Sequence, residues 1–248
     1  MRTIPNENSF ESMSDFLETQ IDQTVGIIKI KGNVFEMATN LPLKEVFFGK
    51  IRQAYNIPDI KVLLIVNGES TLGEDNFIQF EKSTNKSSDA EIKLIREENA
   101  LIQFIRLMHG SDKIVVSGVR GTVVSTFLGA ILSADYRIAS ENCSFSFMDL
   151  KCERFTQGAL GYYLPRYIGM LKAKKILLNY DMLPAAKAHE LGLVDDIVSD
   201  DNFENRCIEI AKKLSQVSPG VVTMIKCLLK SDMNELDAYL KRESGLRK

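Results

Sequence analysis

A strand, a tight turn and a helix of small residues follow one another between Ser117 and Ser140. A helix that begins in this way presents unpaired backbone N–H groups, and its dipole favours negative charge at that end. Where such a turn serves chemistry, glycines and a carboxylate are expected. Here the turn reads Val124-Ser125-Thr126-Phe127, and no acid follows before Asp135. The segment indicates an anion-binding turn that carries bulkier side chains and has no carboxylate of its own.

The carboxylate of Asp149 comes directly after the predicted short strand SFSFM. A positioned carboxylate can act as a general acid or base. The alternative is an exposed turn carboxylate with no chemical role. Glu153 and Arg154 lie in the same loop. Pairing with Arg154 would make Asp149 a structural residue, and the sequence leaves this open.

The composition is that of an ordinary globular protein. The chain has 248 residues, of which 45% are hydrophobic and 26% are charged, and its formal net charge is -2. This charge gives no support to nucleic-acid binding, which favours a basic excess. The apolar runs are far too short to span a bilayer, and the N-terminus lacks the apolar core of a signal peptide. We expect a cytoplasmic protein with neither nucleic acid nor membrane as a partner.

The cysteines predict neither disulfides nor a metal site. No C-x-x-C pair and no histidine cluster accompanies them, and free thiols are the norm in a reducing cytosol. They are Cys143, Cys152, Cys207 and Cys227.

Strands alternate with helices through most of the chain. Three apolar runs predict buried strands, and a long segment with helical spacing predicts an amphipathic helix. They are TVGIIKIKG, IKVLLIVNG and DKIVVSGVRG, and then EIKLIREENALIQFIRLMH. The last third is helical. This pattern is typical of an α/β fold with a helical C-terminal extension. We predict a disordered segment at 1–20, a core at 21–200 and a helical region at 201–248.

The order of these elements resembles the crotonase (enoyl-CoA hydratase/isomerase) superfamily, from about Thr24 to Lys230. The resemblance is strongest in DKIVVSGVRGTVVSTFLGAILSADYRIAS, in GYYLPRYIG with AKKILLN, and in AAKAHELGLVDDIV. It implies a ClpP-like spiral of ββα turns, with residues 201–248 serving trimerisation in a homotrimer or hexamer. It also implies a site that holds a thioester carbonyl, usually of coenzyme A, between two backbone N–H groups.

The resemblance places those two donors at Glu74 and Thr126. The first follows Gly73 in the loop Leu72-Gly73-Glu74-Asp75, and the second lies where relatives carry a run of glycines. Preorganised donors of this kind stabilise an enolate or tetrahedral oxyanion. The alternative is that the Ser125 or Thr126 hydroxyl caps the helix and occupies the same N–H groups. The resemblance implies substrate contacts at Leu72, Gly73, Gly121, Ser125 and Gln157.

The acids depart from the hydratase pattern. The two glutamates of hydratases in this family fall at Gly129 and Asp149, and a further position used by dehalogenase-like relatives falls at Gln157 or Thr156. Glycine has no side chain that could act, and glutamine cannot take a proton, so the resemblance implies Asp149 as the one candidate proton carrier among these positions. Adding water across a double bond needs proton carriers for both the water and the α-carbon. Ordinary hydration is therefore not expected.

The coenzyme A end departs as well. Relatives carry Arg-Pro-Lys-Ala-Leu-Asn after the first strand, whereas this chain has Gly32-Asn33-Val34-Phe35-Glu36-Met37. Lys226 matches a lysine found in relatives near the C-terminal helix, and it could still contact a phosphate. The last helix, which closes the pocket in many relatives, is expected to be short or missing. We expect no tightly bound cofactor, with coenzyme A present only as part of the substrate.

Three functions remain open. The first is an acyl-CoA isomerase, hydrolase or lyase that works through enolate stabilisation. The second is a decarboxylase of the polyketide type, acting on an acyl-carrier-protein thioester, although Asn76 stands where those relatives carry a lysine. The third is a non-catalytic subunit that keeps the fold for packing or acyl binding.

Overall fold

The computed structural model describes residues 10–155, 157–179, 181–229 and 232–246, and two sheets organise them. The strands are β1 (Ser12–Met13), β2 (Leu17–Asp22), β3 (Val25–Ile30), β4 (Val62–Asn67), β5 (Ile114–Val119), β6 (Thr122–Val124), β7 (Tyr136–Ser140), β8 (Ser144–Ser146), β9 (Leu183–Pro184) and β10 (Asp196–Val198). The large sheet has the order β1-β2-β3-β4-β5-β7-β10 and is parallel from β3 onward. The small sheet has the order β6-β8-β9.

The apolar runs form the centre of the large sheet, as predicted. Every residue of β4 is buried, because its alternate side chains enter two different cores. Leu63 and Ile65 pack with helices on one face, whereas Leu64 and Val66 face the other. A strand covered on both faces needs a continuous apolar run, which is what the sequence supplies.

Helices cover both faces of the sheet and form the C-terminal part of the chain. They are α1 (Val34–Thr39), α2 (Leu41–Asn56), α3 (Glu74–Asn85), α4 (Ala90–Gly110), α5 (Ser125–Ile131), α6 (Met148–Lys151), α7 (Leu160–Ile168), α8 (Met170–Asn179), α9 (Ala185–Glu190), α10 (Phe203–Leu214), α11 (Pro219–Leu229) and α12 (Met233–Ser244). This mixed α/β architecture with a helical C-terminal part confirms the predicted fold class.

Two expectations about the ends of the chain are corrected. Residues 10–20 are ordered, because β2 pairs antiparallel with β3 along its whole length and buries Leu17. The predicted disorder at 1–20 is thus wrong for these residues, and 1–9 lie outside the described residues. The last helix is also present: α12 packs on α4, and the ring of Tyr239 lies 5.5 Å from that of Tyr162.

The ends of β4 and β5 lead directly into the candidate site. The loop after β4 ends at Gly73, directly before α3, and the turn after β5 passes through β6 into α5. Parallel neighbouring strands place their carboxyl ends at the same edge of a sheet, so the two loops meet there. Among the described residues, no helix is both long enough and apolar enough to cross a bilayer.

Candidate functional site

A backbone hydrogen bond joins the two loops that carry the predicted donors. The N–H of Val124 donates to the carbonyl of Leu72 at 3.0 Å. Glu74, the first residue of α3, follows Leu72 by two positions, and Thr126, the second residue of α5, follows Val124 by two positions. The fold therefore brings together the two segments that the sequence predicted to converge.

Close approach of the two loops depends on glycine. Gly121 has a φ of +70°, and a Cβ there would overlap the carbonyl of Glu69. Gly73 lies against the carbonyl of Thr122, but a Cβ there would stand 3.5 Å from the oxygen, which is an ordinary contact, so only Gly121 requires glycine. The amide of Asn76 also donates to the carbonyl of Ser70 at 2.8 Å. These contacts fix the shape of both loops around the candidate donors.

The backbone N–H groups of Glu74 and Thr126 have no acceptor among the described residues. Neither α3 nor α5 carries a side-chain cap on its first turn. The Ser125 and Thr126 hydroxyls instead point to Asp149, so the capping alternative is wrong. Two donors thus remain available where an oxyanion is predicted to bind.

Asp149 lies beside this turn and is almost completely buried, with 1% of its surface exposed. The Ser125 hydroxyl lies 2.6 Å and 2.7 Å from its two carboxylate oxygens, and the Thr126 hydroxyl lies 3.1 Å from one of them. Burial raises the pKa of Asp149 above its usual 3.8, and hydrogen bonds from the two hydroxyls oppose that rise. The alternative of an exposed turn carboxylate is therefore wrong.

The carboxylates that pair with Arg154 are Glu81 and Glu97, each at 2.8 Å, rather than Asp149. The guanidinium also lies 5.8 Å from the ring centroids of Phe77 and Phe80. Asp149 consequently keeps its hydroxyl partners and is not neutralised by a direct ion pair.

Gly129, where the first hydratase glutamate falls, has no room for a side chain. A Cβ built there would lie 2.5 Å from the Leu160 nitrogen and 2.8 Å from the Leu160 Cα, and would overlap the carbonyl of Gly158. Gly158, with a φ of +74°, is itself pressed against the carbonyl of Thr126. Gln157 is buried next to it, whereas Thr156 lies outside the described residues. The turn that contains Gln157 therefore fills the volume of the missing glutamate.

An apolar cavity of about 90 Å³ lies beside these loops. Leu72 and Phe127, which flank the two donor segments, form part of its wall. The other lining residues are Ile30, Val34, Phe35, Met37, Ala38, Lys44, Phe47, Phe48, Ile65, Val66, Asn67, Glu97, Ala100, Leu101, Phe104, Ser117, Gly118, Val119, Ala130 and Ile131. Of the predicted substrate-binding residues, only Leu72 lines this cavity. Ser125 is the first residue of α5, and Gly73, Gly121 and Gln157 lie outside helices and strands.

Sequence reasoning missed Glu97, which is the one acidic residue among the described residues that line the cavity and whose carboxylate is bound to Arg154. It is 2% exposed and lies on α4 in register with Leu101 and Ile105, which are buried at intervals of four residues. An acid within the apolar stripe of an amphipathic helix was the signal that could have revealed it. Burial raises the pKa of Glu97 above 4.5, Arg154 opposes this, and the charges of Glu81 and Asp149 add to the rise.

The residues expected at the coenzyme A end have structural partners. Asn33 caps α1, and Phe35 packs against the ring of Phe127 at 5.1 Å. Lys226 is paired with Asp135 at 2.6 Å and donates to two backbone carbonyls. The expectation that Lys226 meets a phosphate is not supported, because its charge is already used.

Comparison with known proteins adds both sequence and fold relatives. The model of the family described as enoyl-CoA hydratase/isomerase matches residues 81–247. A probable enoyl-CoA hydratase, echA12, from Mycobacterium leprae is 27% identical over 62% of this chain and 53% of its own length. The 4-chlorobenzoyl coenzyme A dehalogenase-1 of Arthrobacter sp is 24% identical over 53% of this chain and 48% of its own length. The chain thus spans about half the length of these curated relatives.

Structural similarity to a solved protein covers a larger part of the chain than the sequence match to these two relatives. The crystal structure of an enoyl-CoA hydratase from Bacillus halodurans superposes with a TM-score of 0.76, covering 93% of this chain and 92% of that one at 21% identity. At this identity the superposition shows the fold alone. The family model, which matches more than half of the residues, supplies the membership. This chain belongs to the enoyl-CoA hydratase/isomerase (crotonase) family.

Proposed function

We propose that the chain acts on an acyl thioester and stabilises an enolate at the backbone N–H groups of Glu74 and Thr126. The observation that carries this proposal is the pair of free donors on loops joined by the Val124–Leu72 hydrogen bond, beside an apolar cavity and a buried carboxylate. Preorganised donors away from water act strongly on developing negative charge, and loss of one typically costs about 100-fold or more in rate.

The proposed reaction is an isomerisation, a hydrolysis or a lyase step rather than hydration. Asp149 is the proposed proton carrier near the α-carbon, since it lies against the turn that carries the Thr126 donor. Its raised pKa moves it towards the range in which a carboxyl exchanges protons near neutral pH. The main chain of Leu160 occupies the space over Gly129, so this position cannot supply the other carboxylate of the hydratase pattern.

The cavity supports a short acyl chain as the substrate. Its volume of about 90 Å³ is smaller than an apolar cavity of about 150 Å³ that binds benzene. Phe35, Phe47, Phe104 and Phe127 are among its aromatic wall residues, so an alkyl group is favoured over a polar one. We propose an acyl group of about four to six carbons by this comparison of volumes.

An acyl-carrier-protein thioester is the proposed alternative to acyl-CoA. In its favour, Asn33 caps α1 and Phe35 packs against Phe127, so neither is left to contact a nucleotide. Helix α1 (Val34–Thr39) also carries no cation that could bind a nucleotide phosphate. A comparison of acyl-CoA with the matching N-acetylcysteamine thioester distinguishes the two. Equal kcat/KM values would support the carrier protein, whereas a large gain with coenzyme A would support acyl-CoA.

One observation favours a non-catalytic acyl-binding subunit as the second candidate. Ser125 and Thr126 are buried and close over Asp149, so a substrate reaches the carboxylate only if these hydroxyls move. Binding of a thioester without exchange of its α-proton would support this candidate.

We also propose assembly into a homotrimer or hexamer. Helix α8 and, in the C-terminal region, helix α11 carry strongly exposed leucines, among them Leu171 at 84% and Leu229 at 80% exposure. Large exposed apolar side chains are typical of protein interfaces when they form a patch. Analytical ultracentrifugation would measure the assembly, and a monomer at micromolar concentration would contradict it.

The decisive test of the proposed function is exchange of the α-proton of butyryl-CoA in D₂O, followed by mass spectrometry. This step needs only the oxyanion donors and one base, so it does not depend on knowing the full reaction. Wild-type protein should incorporate deuterium, and Asp149→Asn should lower the rate about 100-fold. Parallel assays of crotonyl-CoA hydration and 3-methylglutaconyl-thioester decarboxylation separate the reaction classes. No exchange and no thermal stabilisation by any of these thioesters would refute the proposal.

A further inference from the structure

We propose that Glu243 on α12 is a positioning residue, which holds the turn at residues 158–160 against α5 and thereby fixes the backbone of the Thr126 donor. This inference rests on the proposed function and deepens it, because it names the part of the fold that preorganises the oxyanion donor. Glu243 needs no contact with the substrate for this role.

The contact between the turn and α5 is the first argument. A Cβ built on Gly158 would overlap the carbonyl oxygen of Thr126, so the two backbones touch with no side chain between them. Further along α5, a Cβ built on Gly129 would overlap the Gly158 carbonyl and lie 2.5 Å from the Leu160 nitrogen. Close-packed groups transmit strain, and here no flexible side chain can absorb it. A displacement of the turn would therefore move the peptide units around Thr126.

The contact between the turn and Glu243 is the second argument. The N–H of Ala159 donates to the Glu243 carboxylate at 3.2 Å. Ala159 has a φ of +58°, in the left-handed region that alanine rarely adopts. A residue in such a conformation persists only where the surrounding structure holds it. Ala159 also precedes α7, which has no side-chain cap from its own turn. The Glu243 carboxylate supplies negative charge at this helix N-terminus, where such charge is favourable.

The third argument is that stability does not explain an acid at position 243. The side chain is half-buried, and its Oε1 oxygen is fully buried. Burial raises the pKa of Glu243 to about 7, so the ionised form is disfavoured at neutral pH. A glutamine could accept the same hydrogen bond without a charge. Ionisable groups with strongly shifted pKa values are concentrated at functional positions, where activity is often gained at some cost in stability.

Groups from three elements face the Glu243 carboxyl. They are Tyr239 on α12, Glu98 on α4, and the N–H groups of Gly158 and Ala159 before α7. The hydrogen bonds from Ala159, Tyr239 and Gly158 oppose the rise in pKa that burial causes, whereas the charge of Glu98 adds to it. The Arg242 guanidinium lies over the Tyr239 ring, 5.1 Å from its centroid. An ionised carboxylate accepts a stronger hydrogen bond than a neutral carboxyl. We therefore expect the turn to be held most firmly above pH 7.

The test compares wild type, Glu243→Gln and Glu235→Gln in exchange of the α-proton of butyryl-CoA in D₂O. At pH 8 we expect the kcat of Glu243→Gln to fall about tenfold while KM stays within about threefold of wild type, because a misplaced donor acts mainly on the transition state. The pH profile of this variant should also lack the ionisation near pH 7 that wild type shows. Glu235→Gln is the matched control and should retain wild-type behaviour, since Glu235 lies on the same helix and pairs with Arg166 at the surface.

Melting temperature separates a positioning role from a purely structural one. Glu243→Gln should melt at pH 8 at the same temperature as wild type or higher, because it removes a partly buried charge. A lower rate in a variant that is equally or more stable cannot come from loss of folded protein. A wild-type rate and an unchanged pH profile in Glu243→Gln would overturn the role of Glu243 and leave the proposed function standing.

Amide hydrogen exchange measured by mass spectrometry gives a readout that does not depend on the substrate. At pH 8 the peptides covering 122–132 and 157–164 should exchange faster in Glu243→Gln than in wild type, whereas peptides from β4 should not change. Equal exchange of the first two peptides in both proteins would overturn the inference. If wild type exchanges no substrate proton, the proposed function fails, and the amide exchange alone then decides whether Glu243 holds the turn against α5.

Discussion

The amide nitrogen of Leu160 lies over Gly129 so closely that a Cβ built on Gly129 would stand 2.5 Å from it. This contact joins the first turn of α7 to the middle of α5. It also decides which residues can serve as acids here, because the position of a hydratase glutamate is occupied by main chain.

The first prediction concerns this contact. Gly129→Ala should lower the free energy of unfolding by about 1–3 kcal/mol, the usual cost of overpacking a buried site. Gly49→Ala is the control, because Gly49 lies within α2 with open space around it. It should gain about 0.5–1 kcal/mol from helix propensity. Urea unfolding measures both, and equal effects in the two variants would contradict the tight contact.

The second prediction concerns the buried ion pairs. Arg154→Met should cost about 3 kcal/mol, because Glu97 would be left buried without its cation. The double variant Arg154→Met with Glu97→Gln should recover part of this loss. Arg206→Met, which breaks only a surface pair with Glu209, should change stability by less than about 1 kcal/mol. A loss at Arg154 no larger than that at Arg206 would show that the pair is not buried.

The third prediction concerns the pH dependence of stability at Asp149. Burial raises its pKa above 3.8, so the native state keeps this proton at pH values where the unfolded chain has lost it. Stability then falls as pH rises through that window. Asp149→Asn cannot titrate and should melt at the same or a higher temperature than wild type at pH 8. Melting curves from pH 4 to pH 8 test this, and a lower melting temperature at pH 8 would contradict it.

The fourth prediction concerns Glu243 on α12. Its carboxylate accepts a hydrogen bond from the Ala159 N–H at 3.2 Å, and burial raises its pKa to about 7. The native state therefore holds this proton between pH 4.5 and about 7, and the contribution of Glu243 to stability declines over that range. Glu243→Gln should be more stable than wild type at pH 8 and nearly equal to it at pH 4.

Glu235→Gln is the control for Glu243. Glu235 is exposed on the same helix and pairs with Arg166 at the surface. Denaturant unfolding of both variants against wild type at pH 4 and pH 8 separates the two effects. If the stability of Glu235→Gln relative to wild type changed with pH as much as that of Glu243→Gln, burial would not explain the effect at Glu243.

Local patterns in the sequence were sufficient for the elements of the fold. The apolar run of β4 predicts a strand buried on both faces, and the spacing of apolar residues along α4 predicts an amphipathic helix. The residues around Thr126 predict a turn between a strand and a helix. Each of these signals arises from residues close together in the chain, so periodicity and turn chemistry are enough to read them.

The acids of the site depend on contacts between distant parts of the chain. Asp149 meets Ser125 across 24 positions, and Arg154 meets Glu97 across 57. Whether a carboxylate caps a turn, pairs with a cation or lines a cavity depends on which elements pack together, and no local pattern records that. The sequence by itself therefore determined the family and the central strands and helices, although it missed β1 and the start of β2. Only tertiary packing decided that Gly129 is closed, that Asp149 is held by two hydroxyls, and that Glu97 is buried against Arg154.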